Sequence, residues 1–275
     1  MNGLDIKFKF SGLLEKVNGS APYRPDIAII LGSGLGDFPN ELTPDLILDV
    51  KELPGYPPST VAGHGGKIYF GRIENRKVLA FQGRIHFYEG YTIDECLIPV
   101  LITKSLGIDK IIITNAAGGV NPDFNAGDLM LGNSFNSINI KDEMQRILPV
   151  AAPEQYSALQ NFGSTYLFGL IKQAAEIEDF KLQEGVYWYN KGPSYETPAE
   201  VKMSGICGAD AVGMSSVHEV LYAVSEGLDT VMISLISNLA AGISATPLSH
   251  QEVMETAALV KVKFNQLIKR TISLL

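Results

Sequence analysis

Short runs rich in isoleucine and valine recur along this chain, and each leads into glycine, serine or histidine. DIAII (26–30) leads into LGSGLGD (31–37), KIIIT (110–114) into TNAAGG (114–119), and GADAV (208–212) into VGMSSVHE (212–219). KVLAFQ (77–82) precedes GRIHFYEG (83–90). Runs this short and this branched are expected as buried strands of an α/β sheet. In an open α/β sheet, ligands bind outside the carboxyl ends of the strands. That edge here gathers glycines, serines, an arginine and histidines, a composition suited to an oxyanion such as phosphate.

The pattern predicts strands over 26–31, 67–72, 77–82, 110–114, 127–135, 184–190, 208–213 and 230–236. Helices alternate with them and are marked by capping boxes. Thr92 to Glu95 opens a helix expected to run to about Leu106, with Gly107 as its stop. Thr197 to Glu200 opens a second, with Pro198 at its first position. Ser216 to Glu219 and Ser249 to Glu252 open two more. The last carries Val253, Ala257, Val260, Phe264, Leu267, Ile268 and Ile272 at helical spacing, so one face docks on the core. Residues 136–165 are the least patterned stretch and are expected to form a long excursion or lid.

Composition narrows the class. At 275 residues, 46% hydrophobic and 19% charged, the chain can bury a sizeable core. Its length suits one large α/β domain or two small ones, and no linker splits it. The formal charge of −8 argues against general binding to nucleic acid or membrane. An anionic ligand must then be held locally, against the overall field. Cys96 and Cys207 show neither CxxC nor zinc spacing and read as two reduced core thiols of a cytosolic protein. The N-terminus lacks a signal-peptide core. The uncharged run Thr230 to Ser249 contains Ser, Asn, Gly and Pro, which does not fit a membrane span.

Each motif carries its own chemistry. Gly32-Ser33-Gly34-Leu35-Gly36 follows a strand directly, and glycines there let the backbone approach an anion. The spacing is not that of a dinucleotide fingerprint, and no convincing helix follows. A single-phosphate loop with Ser33 as donor is favoured over a dinucleotide site or a plain turn. In 84–88 a period of two places Arg84, His86 and Tyr88 on one face. Arg84 can grip a phosphate in bidentate fashion, with His86 as a second donor. The alternative is the exposed polar face of an edge strand, less favoured because Gly83 and Gly90 bracket the segment. His64, set among glycines, is either a delivered ligand or merely solvated. Ser216 is expected to cap its helix, which leaves Ser215 beside helix N–H groups. On local sequence alone His250 reads as a solvent-facing residue at a helix start. No His or Cys pair has metal-ligand spacing.

Taken together, GSGLG, the H-G-G loop, GRIHFYEG, TNAAGG, GPSYETPAE and GADAVGMS, in that order, resemble the trimeric purine nucleoside phosphorylases. The resemblance spans about residue 24 to the final helix. It implies a single α/β domain, 1–275, with a twisted, partly barrel-like mixed sheet flanked by helices. It also implies a homotrimer, with no metal or organic cofactor. The implied reaction joins a purine nucleoside and orthophosphate to give free base and ribose 1-phosphate. Ser33, His64, Arg84, His86, Ala116 through its backbone N–H, and Ser215 match phosphate ligands. Tyr88, Met214 and His250 match ribose contacts, with His250 near the 5′-hydroxyl. Tyr195, Glu196, Val212 and Asn238 match the base pocket, lined by Ala117 and Gly118. Glu89 matches a position that orients His86. The catalytic set is then His86, Glu89, Glu196 and Asn238, acting in purine salvage in the cytoplasm on 6-oxopurine nucleosides.

The chain departs from the family pattern in places. Residues 136–165 do not keep the usual acidic-aromatic loop, from which a neighbouring subunit lends a phenylalanine, and Phe162 is the candidate for that role. Ser237 stands where Thr is frequent, and His218 where Pro is common. Two other readings stay open: a methylthioadenosine phosphorylase, and a non-catalytic nucleotide- or phosphate-binding module. Asn238 and Glu196 speak against the former, where Asp and a small residue are typical.

Overall fold

A computed structural model describes residues 3–60, 65–148, 153–243 and 249–275. Among these, nine strands form one mixed sheet: β1 (Ile27–Leu31), β2 (Thr43–Asp49), β3 (Lys67–Ile73), β4 (Arg76–Gln82), β5 (Lys110–Gly119), β6 (Leu129–Asn136), β7 (Gln183–Tyr189), β8 (Ala211–Gly213) and β9 (Asp229–Leu239). The order is β2-β3-β4-β1-β5-β8-β7-β6-β9, and β9 pairs back onto β5. The half from β5 to β9 therefore closes into a barrel, while β2, β3, β4 and β1 extend it as an open wing. The expected mixed, partly barrel-like α/β sheet is what forms.

The branched strands are buried on both faces. In β1, Ala28 and Ile30 enter one apolar cluster while Ile27, Ile29 and Leu31 enter another. Leu79 and Phe81 of β4, and Ile111 and Ile113 of β5, join the first cluster; Val78, Ala80 and Ile112 join the second. Period-two alternation thus feeds two cores, one on each side of the sheet. The helices Ile98–Ser105 and Val217–Ser225 cover the first face. Tyr166–Ile177 and the C-terminal helix His250–Ser273 cover the second. On that last helix Val253, Ala257, Phe264, Leu267, Ile268 and Ile272 are buried, as its periodicity predicts.

Five departures from the sequence expectation have physical causes. β5 does not end at 114; it continues through Asn115-Ala-Ala-Gly-Gly119, paired with β9 and then β8. β9 likewise runs on to Leu239, so TNAAGG lies inside the barrel wall rather than in a loop. β8 is confined to Ala211–Gly213. β2 is an antiparallel edge strand with mostly exposed side chains, and it lacks the apolar signature of a buried strand. The helix expected from Thr92 breaks at Leu97 into Ile93–Cys96 and Ile98–Ser105, with Gly107 beyond it at φ 74°.

The described parts of the segment 136–165 are tied to the core rather than laid over it. Ile140, Met144, Ile147 and Phe162 are buried, and Phe162 packs edge-on against Phe135 at 5.2 Å between ring centres. Phe162 serves its own chain's core and so cannot be the aromatic lent to a neighbour. Cys96 is buried but Cys207 is exposed, so only one of the two is a core thiol.

Candidate active site

A cavity of about 210 Å³ opens at the carboxyl end of the sheet, where β1, β5, β8 and β9 meet. Ser33, Arg84, His86, Ala116 and Ser215 line one part of it. Tyr88 and Met214 also line it, as do Ala117, Gly118, Tyr195, Glu196, Val212 and Asn238. Residues spread over more than two hundred positions of sequence therefore converge on one space. His64 lies outside the described residues. His250 begins the C-terminal helix, and its side chain lies outside the described part. The sequence reading did not single out Pro193, Gly213 or Ala240 of the lining, and expected Val253 only as a core-docking position of the last helix.

The glycine loop after β1 is shaped by packing. A Cβ on Gly32 would sit 2.7 Å from the Asn115 Cα and the Thr114 carbonyl oxygen; one on Gly34, at φ 76°, would meet the Ala257 Cβ at 2.2 Å. These glycines press the loop against β5 and the C-terminal helix, and that places Ser33 on the cavity.

Arg84 is the buried cation of the site. Its Nη1 donates to Ser215 Oγ at 3.1 Å and to Ser216 Oγ at 2.8 Å. Its Nη2 lies 3.5 Å from Glu219 Oε2, and neither side chain has solvent exposure. Ser216 has φ 71° and makes no side-chain cap; its hydroxyl turns inward, where it also accepts from Asn115 Nδ2 at 2.9 Å. The expected capping role of Ser216 is thus replaced by an anchoring role. Ser215 lines the cavity with its hydroxyl on Arg84.

His86 is oriented from behind. Segment 84–88 is not a continuous strand: His86 caps a 3-10 turn, Phe87–Glu89. The turn still leaves Arg84, His86 and Tyr88 on the cavity, with the His86 and Tyr88 rings stacked at 4.7 Å. One Glu89 oxygen accepts the His86 backbone N–H at 2.8 Å and lies 3.1 Å from Nδ1. The other accepts from Thr60 N at 2.5 Å and Thr60 Oγ1 at 2.7 Å. Burial would raise the Glu89 carboxyl, but these donors outweigh it and hold the group down at about 2. A carboxylate facing Nδ1 favours a proton on that nitrogen. Glu89 is not part of the cavity lining, and its contact with the lining runs through His86.

Two side chains suited to reading a purine, Glu196 and Asn238, line the same cavity. Glu196, 9% exposed, accepts from Asn190 Nδ2 at 2.7 Å. Asn238 sits at the β5–β9 register shift and is 4% exposed. Its Nδ2 donates to Glu252 Oε2 at 3.5 Å, so the donor end of this amide is the one turned toward the C-terminal helix. An amide nitrogen carries two hydrogens, which leaves one for a ligand. Among the described residues no group of three acidic, His or Cys side chains could hold a metal ion. No described helix is long and apolar enough to cross a membrane.

A partly closed barrel with an anion-suited pocket at the strand ends defines a phosphorylase-like protein, and the comparisons agree. The family model described as "Phosphorylase superfamily" matches residues 26–273, and the chain belongs to that family, among its purine nucleoside phosphorylases. It is 43% identical over 260 residues to purine nucleoside phosphorylase 1 of Bacillus subtilis, covering 94% of this chain and 95% of that one. With the Geobacillus stearothermophilus protein of the same name it shares 42% identity over 252 residues, 90% of each. Among solved structures, the Schistosoma mansoni enzyme in complex with inosine superposes with a TM-score of 0.85 at 30% identity, over 99% of this chain and 97% of that one. The same enzyme in complex with adenosine gives 0.84 at 31% identity, over 98% and 97%.

Proposed function

We propose that this enzyme catalyses the reversible phosphorolysis of 6-oxopurine ribo- and deoxyribonucleosides, giving free base and (deoxy)ribose 1-phosphate. The observation that carries the reading is the single cavity that joins an Arg84–His86–Ser215 anion cradle to the Glu196–Asn238 pair. Phosphate lies on Ser33, Arg84, His86, Ser215 and the Ala116 N–H. The ribose rests over Tyr88 and Met214; the assignment of His250 to its 5′-hydroxyl and of His64 to the phosphate rests on the family resemblance alone. Cleavage of the glycosidic bond leaves positive charge on the sugar and the bonding electron pair on the purine. Phosphate beneath C1′ stabilises that cation and then bonds to it. The free hydrogen of Asn238 Nδ2 stabilises charge at N7 and O6, and one preorganised donor of this kind contributes ~10²–10³ in rate. The departing purine then takes a proton from solvent. Holding both reactants in one cavity supplies the proximity contribution.

Glu196 as a carboxylate accepts from N1–H of a 6-oxopurine and from the 2-amino group of guanine. The reading includes no metal or organic cofactor, so chelators leave activity intact. It places the protein in the cytoplasm, in keeping with two free cysteines. It also includes a homotrimer, with a subunit boundary near the ribose end; this rests on the family, and light scattering that finds a monomer would contradict it. The reading is tested by a panel of inosine, guanosine and adenosine in phosphate buffer, followed by free-base release. Turnover of the first two and very poor turnover of adenosine is expected. Equal use of all three would contradict the base assignment.

A further inference from the structure

The base-reading carboxylate is held by an oriented relay that reaches into the segment where this chain departs from its family. Asn139 Nδ2 donates to the Tyr189 carbonyl oxygen at 3.0 Å and to Asn190 Oδ1 at 2.9 Å. Asn190 Nδ2 in turn donates to Glu196 Oε1 at 2.7 Å. Both ends of the relay are acceptor-only groups, a peptide carbonyl and a carboxylate. The amide of Asn139 can therefore face Tyr189 in one sense only, which turns the Asn190 oxygen toward Asn139 and its NH₂ toward Glu196. The base of the relay is fixed as well. Lys191 bonds Glu143 Oε1 at 2.7 Å, and Ile140 and Met144, on either side of that contact, are buried.

We propose that Asn190, backed by Asn139, is a positioning residue that sets the rotamer of Glu196 for 6-oxopurines. This rests on the phosphorolysis reading above. A free glutamate explores several rotamers, and only one turns the carboxylate to N1–H of the base. Asn190, which is not part of the cavity lining, occupies Oε1. Oε2 and the second lone pair of Oε1 stay available to the purine. Asn190 touches no reacting atom and lies outside the cavity lining, so its effect is confined to the nucleoside.

The test compares wild type with Asn190→Ala, Asn139→Ala and Asn190→Asp. It measures KM and kcat for inosine at saturating phosphate, KM for phosphate at saturating inosine, and thermal midpoints. Asn190→Ala is expected to raise the inosine KM about tenfold, the scale of one hydrogen bond to a charged group. Asn139→Ala is expected to shift it the same way by about threefold, with the phosphate KM within about twofold of wild type for both. Asn190→Asp supplies a readout that a merely structural role would not move. Two carboxyls this close hold one proton between them at the lower end of the range. The protonated Asp then donates to Glu196 as Asn190 does. The inosine KM of Asn190→Asp should thus approach wild type near pH 5.5 and worsen toward about pH 8, relative to wild type at each pH. An inosine KM for Asn190→Ala within twofold of wild type overturns the inference alone. So does an equal rise in both KM values, or an Asn190→Asp profile parallel to wild type. A wild type that does not cleave inosine in phosphate overturns the phosphorolysis reading, and this inference with it.

Discussion

Arg84 and Glu219 form an ion pair at 3.5 Å in which neither side chain reaches solvent. The pair joins the Arg84 side of the cavity to the first turn of the helix Val217–Ser225, so on the proposed reading catalysis and stability share the same atoms. Removing one partner leaves the other charge buried without its counter-ion, which costs about 3–5 kcal/mol. Glu219→Ala should therefore lower unfolding free energy by that order in urea titration. Adding Arg84→Ala to it should cost clearly less than the sum of the single changes. Arg84→Ala alone should raise the phosphate KM while leaving the inosine KM far less affected.

Acid sensitivity should follow from His218. This ring is fully buried against Tyr189, and neither ring nitrogen has a hydrogen-bond partner among the described residues. Burial first, and then the charges of Arg84 and His86, hold it down at about 3 from an ordinary value of 6.5. The folded state thus keeps His218 neutral while the unfolded chain protonates it. Its contribution to stability is complete above about pH 6.5 and falls as pH drops toward 3. Glu89, held at about 2, adds a loss of the same sign only below about pH 4.5. Between pH 6.5 and 5 the wild type should lose about 2 kcal/mol more than His218→Leu, since one proton is worth about 1.4 kcal/mol per pH unit. Parallel stability profiles for the two proteins would show that His218 is not the titrating group.

The base should be read by complementary polarity. Adenine presents a lone pair at N1 to the Glu196 carboxylate, so two acceptors would face each other in a dry pocket. That mismatch costs several kcal/mol, and discrimination of roughly 10⁴ is the usual scale. Asn238→Asp should raise kcat/KM for adenosine relative to inosine by offering an acceptor to the 6-amino group. Glu196→Ala should cut inosine turnover sharply with the phosphate KM nearly unchanged. Comparable wild-type kcat/KM for inosine and adenosine would contradict the pairing.

Part of the site was legible in the sequence because Ser33, Arg84, His86 and Ser215 sit in local motifs after strands, whereas Glu196 and Asn238 were marked only by the family resemblance; all six reach the cavity. What stayed hidden is non-local or conformational. Glu219 meets Arg84 across 135 positions, and Asn139 meets Asn190 across 51. No motif carries such pairs. Ser216 looks like an ordinary cap until its φ of 71° turns the hydroxyl inward. β2 escaped because its core-facing row is only Leu46 and Leu48, half-buried and flanked by the exposed Ile47 and polar residues, and β5 and β9 ran past their expected ends because the barrel pairs even their polar and glycine residues.

Phosphate dependence tests the central claim most directly. Initial rates with inosine are measured in phosphate-free buffer and again with added phosphate, with hypoxanthine and ribose 1-phosphate both quantified. Cleavage should be absent without phosphate, and with it should yield the two products in equal amounts. Hypoxanthine released equally fast without phosphate, with free ribose as the second product, would contradict phosphorolysis.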